Sequence, residues 1–322
     1  MPTVLPTPAR TVRVAAVQME CEPLQRDRNL ERAAALVEQA ASQGAQIVLL
    51  PELMPGGYLL TEEMWQSAEP PEGPSVAWLR RTARRFGIHL GTSLLEAEGT
   101  DFYNAFYLAT GQGEIAGRVR KNPPASIEAY FYRAGSDPHV IETKFGRLGI
   151  GICYENLLGS HLMEMYGAAV DLVLQPTSAA TPTPAFPFRA KDARAFEHML
   201  ASGTAHTARA LGVPVVMANK CGRLVTPLPG GFPAQDTRFP GLSTIADARG
   251  EVKAALGGEG GVIVAEVMLD PALKASQRPR CYGRWSMPTP WYAFLWPLSQ
   301  RLGERSYARN PRRRKMAQAA AG

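Results

Sequence analysis

The sequence predicts an α/β protein, a mixed sheet with helices on its outer faces. Two observations carry this. Short apolar runs alternate with longer amphipathic stretches from Thr11 onward, which is strand–helix–strand order. Several neighbouring runs are separated by only a few glycine-rich or polar residues, the spacing of hairpins.

Residues 12–18 form a buried strand. A helix follows over about 27–43, with apolar positions at 30, 33, 34, 37 and 40–41, Asp27 as its cap and Gly44 just past its end. Residues 47–50 make the next strand. The helix at 74–85 presents Val76, Leu79 and Phe86 on one side, with Arg80, Arg81, Arg84 and Arg85 elsewhere. Residues 88–95, 103–109 and 114–119 are strands, and Thr110-Gly111-Gln112-Gly113 turns the last two into a hairpin. Strands at 140–143 and 147–152 pair around Lys144-Phe145-Gly146. Then come a helix at 159–166, a strand at 171–175, a long helix at 191–211 ended by Gly212, and the apolar strand 213–218. Strands at 242–246 and 262–267 complete the body. The stretches 177–188 and 226–240 read as loops that can shape a pocket.

Three of these strands end in reactive groups. Ile47-Val48-Leu49-Leu50-Pro51 leads to Glu52, the run from Glu114 leads to Lys121, and Gly149-Ile150-Gly151-Ile152 leads to Cys153. Groups at the ends of separate strands can meet at one edge of a sheet, where α/β enzymes place their chemistry. A carboxylate, an ammonium and a thiol supply a base, an anion stabiliser and a nucleophile. A free thiol with a pKa near ~8.5 is mostly protonated at neutral pH, so it needs the base. The combination specifies covalent attack on an electrophilic carbon.

At these residues the sequence resembles the nitrilase, or carbon–nitrogen hydrolase, superfamily. Pro51-Glu52, Arg120-Lys121, Gly151-Ile152-Cys153-Tyr154-Glu155, Gly167-Ala168, Ala218-Asn219 and Gly241-Leu242-Ser243-Thr244-Ile245 fall in family order. The resemblance implies a four-layer αββα sandwich of the nitrilase type and a triad of Glu52, Lys121 and Cys153. It adds Glu128 as a second glutamate beside the lysine, although Asn122-Pro123-Pro124 stands where many relatives have histidine and leucine. Glu155 is expected to anchor the turn after the nucleophile. The backbone N–H of Tyr154 is a candidate oxyanion donor. Asn156 matches the cysteine–aromatic–glutamate–asparagine pattern of true nitrilases, and helix capping explains it equally well.

The implied activity is hydrolysis of a non-peptide carbon–nitrogen bond through a thioester, on a small-molecule amide or carbamoyl substrate. The alternatives are a nitrilase forming the acid and ammonia, and an N-acyltransferase. The resemblance also implies a homo-oligomer, with residues 1–270 as the catalytic domain and 271–322 as an extension.

Composition narrows the rest. The chain has 322 residues, 45% of them hydrophobic, which suits a globular protein with a sizeable core. No stretch reaches the roughly 18 apolar residues of a spanning helix. Residues 1–10 lack the pattern of a signal peptide, so a cytoplasmic protein is expected. Cys21, Cys153, Cys221 and Cys281 are widely scattered, without a disulfide or zinc pattern. No phosphate loop or dinucleotide fingerprint occurs, and neither cofactor nor metal is expected. His161, His198 and His206 read as packing or surface residues.

Charge is uneven. Residues 271–322 hold 11 Lys and Arg against one acid, Glu304, leaving 24 basic and 28 acidic residues before them. A mildly acidic body argues against a nucleic-acid surface. The tail also holds Trp285, Trp291, Tyr292, Phe294 and Trp296. These are expected to dock from about 278 to 298 on the body or on a neighbouring subunit, with residues after Arg309 free. Contact with a membrane surface is the alternative.

Overall fold

The computed structural model describes residues 9–184, 188–229 and 234–322. The readings of residues 1–8, and of 185–187 and 230–233 inside the two loops, lie outside the described residues. The chain runs β1 (Arg10–Gln18), α1 (Arg26–Ser42), β2 (Ile47–Leu49), α2 (Pro74–Phe86), β3 (His89–Glu98), β4 (Asp101–Ala109) and β5 (Ile115–Arg120). Next come β6 (Val140–Thr143), β7 (Gly146–Ile150), α3 (Gly159–Gly167), β8 (Leu172–Pro176), α4 (Ala190–Leu211) and β9 (Val215–Ala218). The remainder is β10 (Cys221–Thr226), β11 (Gln235–Pro240), β12 (Thr244–Ala246), β13 (Val252–Ala255), β14 (Gly261–Leu269), α5 (Leu295–Arg309) and α6 (Pro311–Ala321).

Two six-stranded sheets form, in the orders β14-β1-β2-β3-β4-β5 and β13-β12-β9-β8-β7-β6. Each is parallel in the middle (β1-β2-β3 and β7-β8-β9) and antiparallel toward its edges. The period of two along β1 explains the layering. Val14 and Ala16 join the core that Leu148, Ile150, Leu174 and Val216 of the second sheet complete. Ala15 and Val17 face the other way, into a cluster with Leu30 and Val37 of α1 and Leu79 of α2. On the far side, Leu162 of α3 and Ala208 of α4 pack on Val173 and Val215. The result is the four-layer αββα sandwich. A strand buried on both faces reads as one continuous apolar run, which is why periodicity alone gave only a mixed sheet.

Several local expectations fail for identifiable reasons. Asp27 is not the cap of α1; Gln25 precedes the helix, and the Asp27 carboxylate instead accepts from Arg26 Nε at 2.8 Å. The stretch 226–240 holds a strand, since β11 pairs antiparallel with β10. Its polar Gln235-Asp236-Thr237-Arg238 lies on a partly exposed two-stranded ribbon, where apolar alternation is not required. β13 was missed likewise, being a short, largely exposed edge strand.

The first part of the tail follows expectation only in part, since two of the aromatic residues expected to dock, Trp291 and Phe294, are exposed. Met287, Tyr292 and Ala293 are buried, while Trp291, Phe294, Leu298 and Leu302 stay exposed. Its end does not follow expectation. Residues 311–321 form α6, which packs on β3 and β4. Helical spacing turns one arginine of the basic run inward. Arg313 is 7% exposed, pairs with Asp101, and donates to the carbonyls of Tyr307 and Thr100 at 3.0 and 2.8 Å. Among the described residues no helix is long and apolar enough to cross a membrane.

Candidate active site

Glu52 lies three residues past β2, Lys121 directly follows β5, and Cys153 lies three residues past β7. All are at carboxyl ends of strands, the first two in one sheet and the cysteine in the other. Lys121 Nζ donates to Glu52 Oε1 at 2.6 Å and to Glu128 Oε2 at 2.7 Å. All three side chains are buried.

The two carboxylates are held differently. Glu128 accepts from Lys121, from Tyr58 at 2.8 Å, from Tyr132, and from the Ala125 N–H at 2.7 Å. With so many donors its carboxylate is fixed in position. Glu52 Oε1 accepts from Lys121 and from Asn104 Nδ2 at 2.8 Å, whereas Oε2 has no partner among the described residues. Sequence reading placed Glu52, Lys121, Glu128 and Cys153 together, and the fold brings them together.

One ammonium between two carboxylates in a dry site sets the electrostatics. Burial raises the pKa of Glu52 and the Glu128 charge adds to this, against the pull of Lys121. Burial opposes the charge on Lys121, yet Glu128 and Glu52 hold its pKa well above the usual lysine value. Burial and then Glu52 push the Cys153 thiol well above its ordinary range, while Lys121 and the Ser178 backbone favour the thiolate. The resting nucleophile is therefore a thiol.

Cys153 sits at φ +54°, the left-handed region that costs a non-glycine residue about 1–3 kcal/mol. Its neighbours over-determine that turn. Glu155 Oε2 accepts the Ile152 N–H at 2.6 Å, and Asn156 Nδ2 donates to the carbonyls of Gly151 and Cys153 at 2.7 and 3.0 Å. Asn156 therefore does not cap α3, which starts at Gly159 without a side-chain cap. Glu155 anchors the turn, as expected.

Behind it stands a residue that sequence reading passed over. His139 Nε2 lies 2.9 Å from Glu155 Oε1, and its Nδ1 lies 3.5 Å from Glu164. Burial opposes its charge, but hydrogen bonds to Glu155 and Glu164 raise its pKa to about 10. The fold also brings His139, Glu155 and His161 within 4.8 Å, a grouping that sequence spacing did not reveal. Both His139 nitrogens face carboxylates, so the grouping has the geometry of an ion pair rather than of an open ligand set.

A cavity of about 170 Å³ opens over Cys153, lined by Glu128, Tyr154 and Asn156 on the reacting side. The Tyr154 ring packs edge-on against Trp285 and Trp296, with centroids 6.2 and 5.7 Å away. Tyr58, Asn104, Tyr132 and Ser178 complete the site and were also missed. Asn104 alone left a signal, as the one amide in a strand that is otherwise apolar and aromatic after Asp101.

Comparison with known proteins agrees with this geometry. The family model for carbon–nitrogen hydrolase matches residues 13–273. A nitrilase from Pyrococcus abyssi is 30% identical over 198 residues, 60% of this chain and 74% of that protein. An N-carbamoylputrescine amidase from Solanum lycopersicum is 28% identical over 271 residues, 81% of this chain and 87% of its own. The amidase from Nesterenkonia sp. AN1, solved with an acetamide moiety added covalently at its active-site cysteine, superposes with a TM-score of 0.61 and 25% identity. That match covers 81% of this chain and 91% of the amidase. With a matching sequence model, the αββα sandwich and a cysteine at the strand-end site, the chain belongs to the carbon–nitrogen hydrolase family.

Proposed function

We propose that this hydrolase is an amidase working through a thioester at Cys153. The observation that carries the reading is the asymmetry of Glu52, with one oxygen held by Lys121 and Asn104 and the other unpartnered. The unpartnered oxygen takes the Cys153 proton as sulfur attacks the amide carbon. Lys121 and the Tyr154 N–H receive the charge that develops on the carbonyl oxygen. When the tetrahedral species collapses, the C–N bond breaks and Glu52 returns its proton to the leaving amine. Glu52 then deprotonates water, which attacks the thioester and releases the acid and the Cys153 thiol. Glu128 orients Lys121 throughout.

Amidase activity, on an amide or carbamoyl substrate, is favoured because the similarity to an N-carbamoylputrescine amidase extends over 81% of the chain. The second reading, nitrile hydrolysis, rests on Asn156 and on the Pyrococcus nitrilase likeness. Ammonia release from matched amides and nitriles decides between them. Turnover of nitriles alone would overturn the amidase reading, and efficient acyl capture by amines in place of water would favour an acyltransferase.

A further inference from the structure

The cavity has a wall that no step of this chemistry uses. It is built by Phe196, Met199 and Leu200 of α4, Met217 of β9, and Met287 and Trp296 of the C-terminal segment. Among the polar side chains on the lining are Gln175 at the end of β8 and Thr204 on α4. Gln175 Nε2 and Thr204 Oγ1 have no hydrogen-bond partner among the described residues, although the two residues are only 3% and 1% exposed. Buried polar groups in folded proteins are paired with few exceptions, so these two, with the Tyr154 hydroxyl as a third unpartnered group on the same cavity, point to a ligand that pairs them. An amide N–H only donates and a hydroxyl can donate, so together they suit an acceptor.

Charge and size narrow the ligand further. Among the described residues the only ionic side chain on the lining is Glu128, whose oxygens are already occupied by Lys121, Tyr58 and Tyr132. A charged acyl group would lose its water here and find no counter-ion. An apolar cavity of roughly 150 Å³ holds a benzene molecule; this one has about 170 Å³.

We propose that the substrate is an uncharged amide whose acyl part is about one six-membered ring in size and carries a hydrogen-bond acceptor received by Gln175 and Thr204. This rests on the amidase reading and names its substrate class.

The test compares benzamide, the pyridine-3- and pyridine-4-carboxamides, and benzamides bearing a ring carboxylate or aminomethyl group, each also supplied as the nitrile. One pyridine compound should exceed benzamide in kcat/KM by about 10- to 100-fold, with the charged compounds near background. The gap should close in Gln175→Leu and in Thr204→Val and persist in Thr204→Ser, which keeps the hydroxyl. If Gln175→Leu does not fold, the two Thr204 variants decide. Calorimetric binding to Cys153→Ala should give the same ranking without turnover. Equal handling of benzamide and both pyridines, preference for a charged compound, or a gap that survives both variants would overturn the proposal. The expected ranking among nitriles, with the amides inert, would support the cavity assignment and sink the amidase reading; amide turnover with a flat ranking would do the reverse.

Discussion

Glu155 and Asn122 are joined by a 2.5 Å hydrogen bond from the Asn122 N–H to Glu155 Oε1, which ties the two sheets together at the site. Asn122 follows Lys121, and Glu155 follows Cys153 by two residues. The other Glu155 oxygen accepts the Ile152 N–H, so one side chain sets the spacing between ammonium and thiol.

Glu155→Gln should therefore damage catalysis without touching substrate. An amide offers one oxygen to two N–H donors, and its NH2 then faces a donor. We expect kcat to fall about 10- to 100-fold with little change in KM. Steady-state kinetics check this, and a loss confined to KM would contradict the positioning role.

Lys121→Ala should lower kcat about 10²–10³-fold, the usual cost of losing an oxyanion donor. It also leaves Glu52 and Glu128 facing each other in a dry site, so stability should drop by about 3–5 kcal/mol in a denaturant titration. Lys121→Ala with ordinary turnover would remove the lysine from the mechanism.

Glu52 must be ionised to act as base, and burial raises its pKa above the ordinary 4.5. Activity should accordingly fall on acidification through a pH above the usual carboxylate range. Glu52→Gln should bind substrate and form no thioester. Mass spectrometry that instead found an accumulating acyl-enzyme would restrict Glu52 to the water step.

His139 makes a stability prediction with a definite sign. Its pKa in the fold, about 10, lies above the ordinary 6.5, so the charged ring contributes fully below pH 6.5. That contribution disappears as pH rises through about 10. Glu164, held near 2 chiefly by its hydrogen bond to His139, stays ionised across this window. The melting temperature should decline between pH 7 and 10 more steeply in the wild type than in His139→Gln. Parallel curves would show that the ring is not charged in the fold.

Arg313→Ala should destabilise by about 3 kcal/mol, because it strands Asp101 with one exposed partner, Arg133. Deleting 311–322 should cost at least as much. A deletion that melted like the full chain would mean α6 is not docked in solution.

The strand-end groups were legible because Glu52, Lys121 and Cys153 each interrupt an apolar run with a reactive side chain. The αββα stacking was legible only through family resemblance, since β1 is apolar on both faces. Tyr58, Tyr132 and His139 could not be read, because their roles come from long-range contacts and they sit in no motif. The basic end of the chain misled for a related reason. Four consecutive cations look solvated until helical spacing selects Arg313 for the interior.

Trp296 walls the cavity, and α5 lies against the turn that carries Glu128. Both contacts come from α5, a stretch of chain remote in sequence from Glu52, Lys121 and Cys153. The reacting groups and part of the wall that encloses them are therefore supplied by separate stretches of the chain, so the shape of the chamber can change at Trp296 without any change at the strand ends that hold the chemistry.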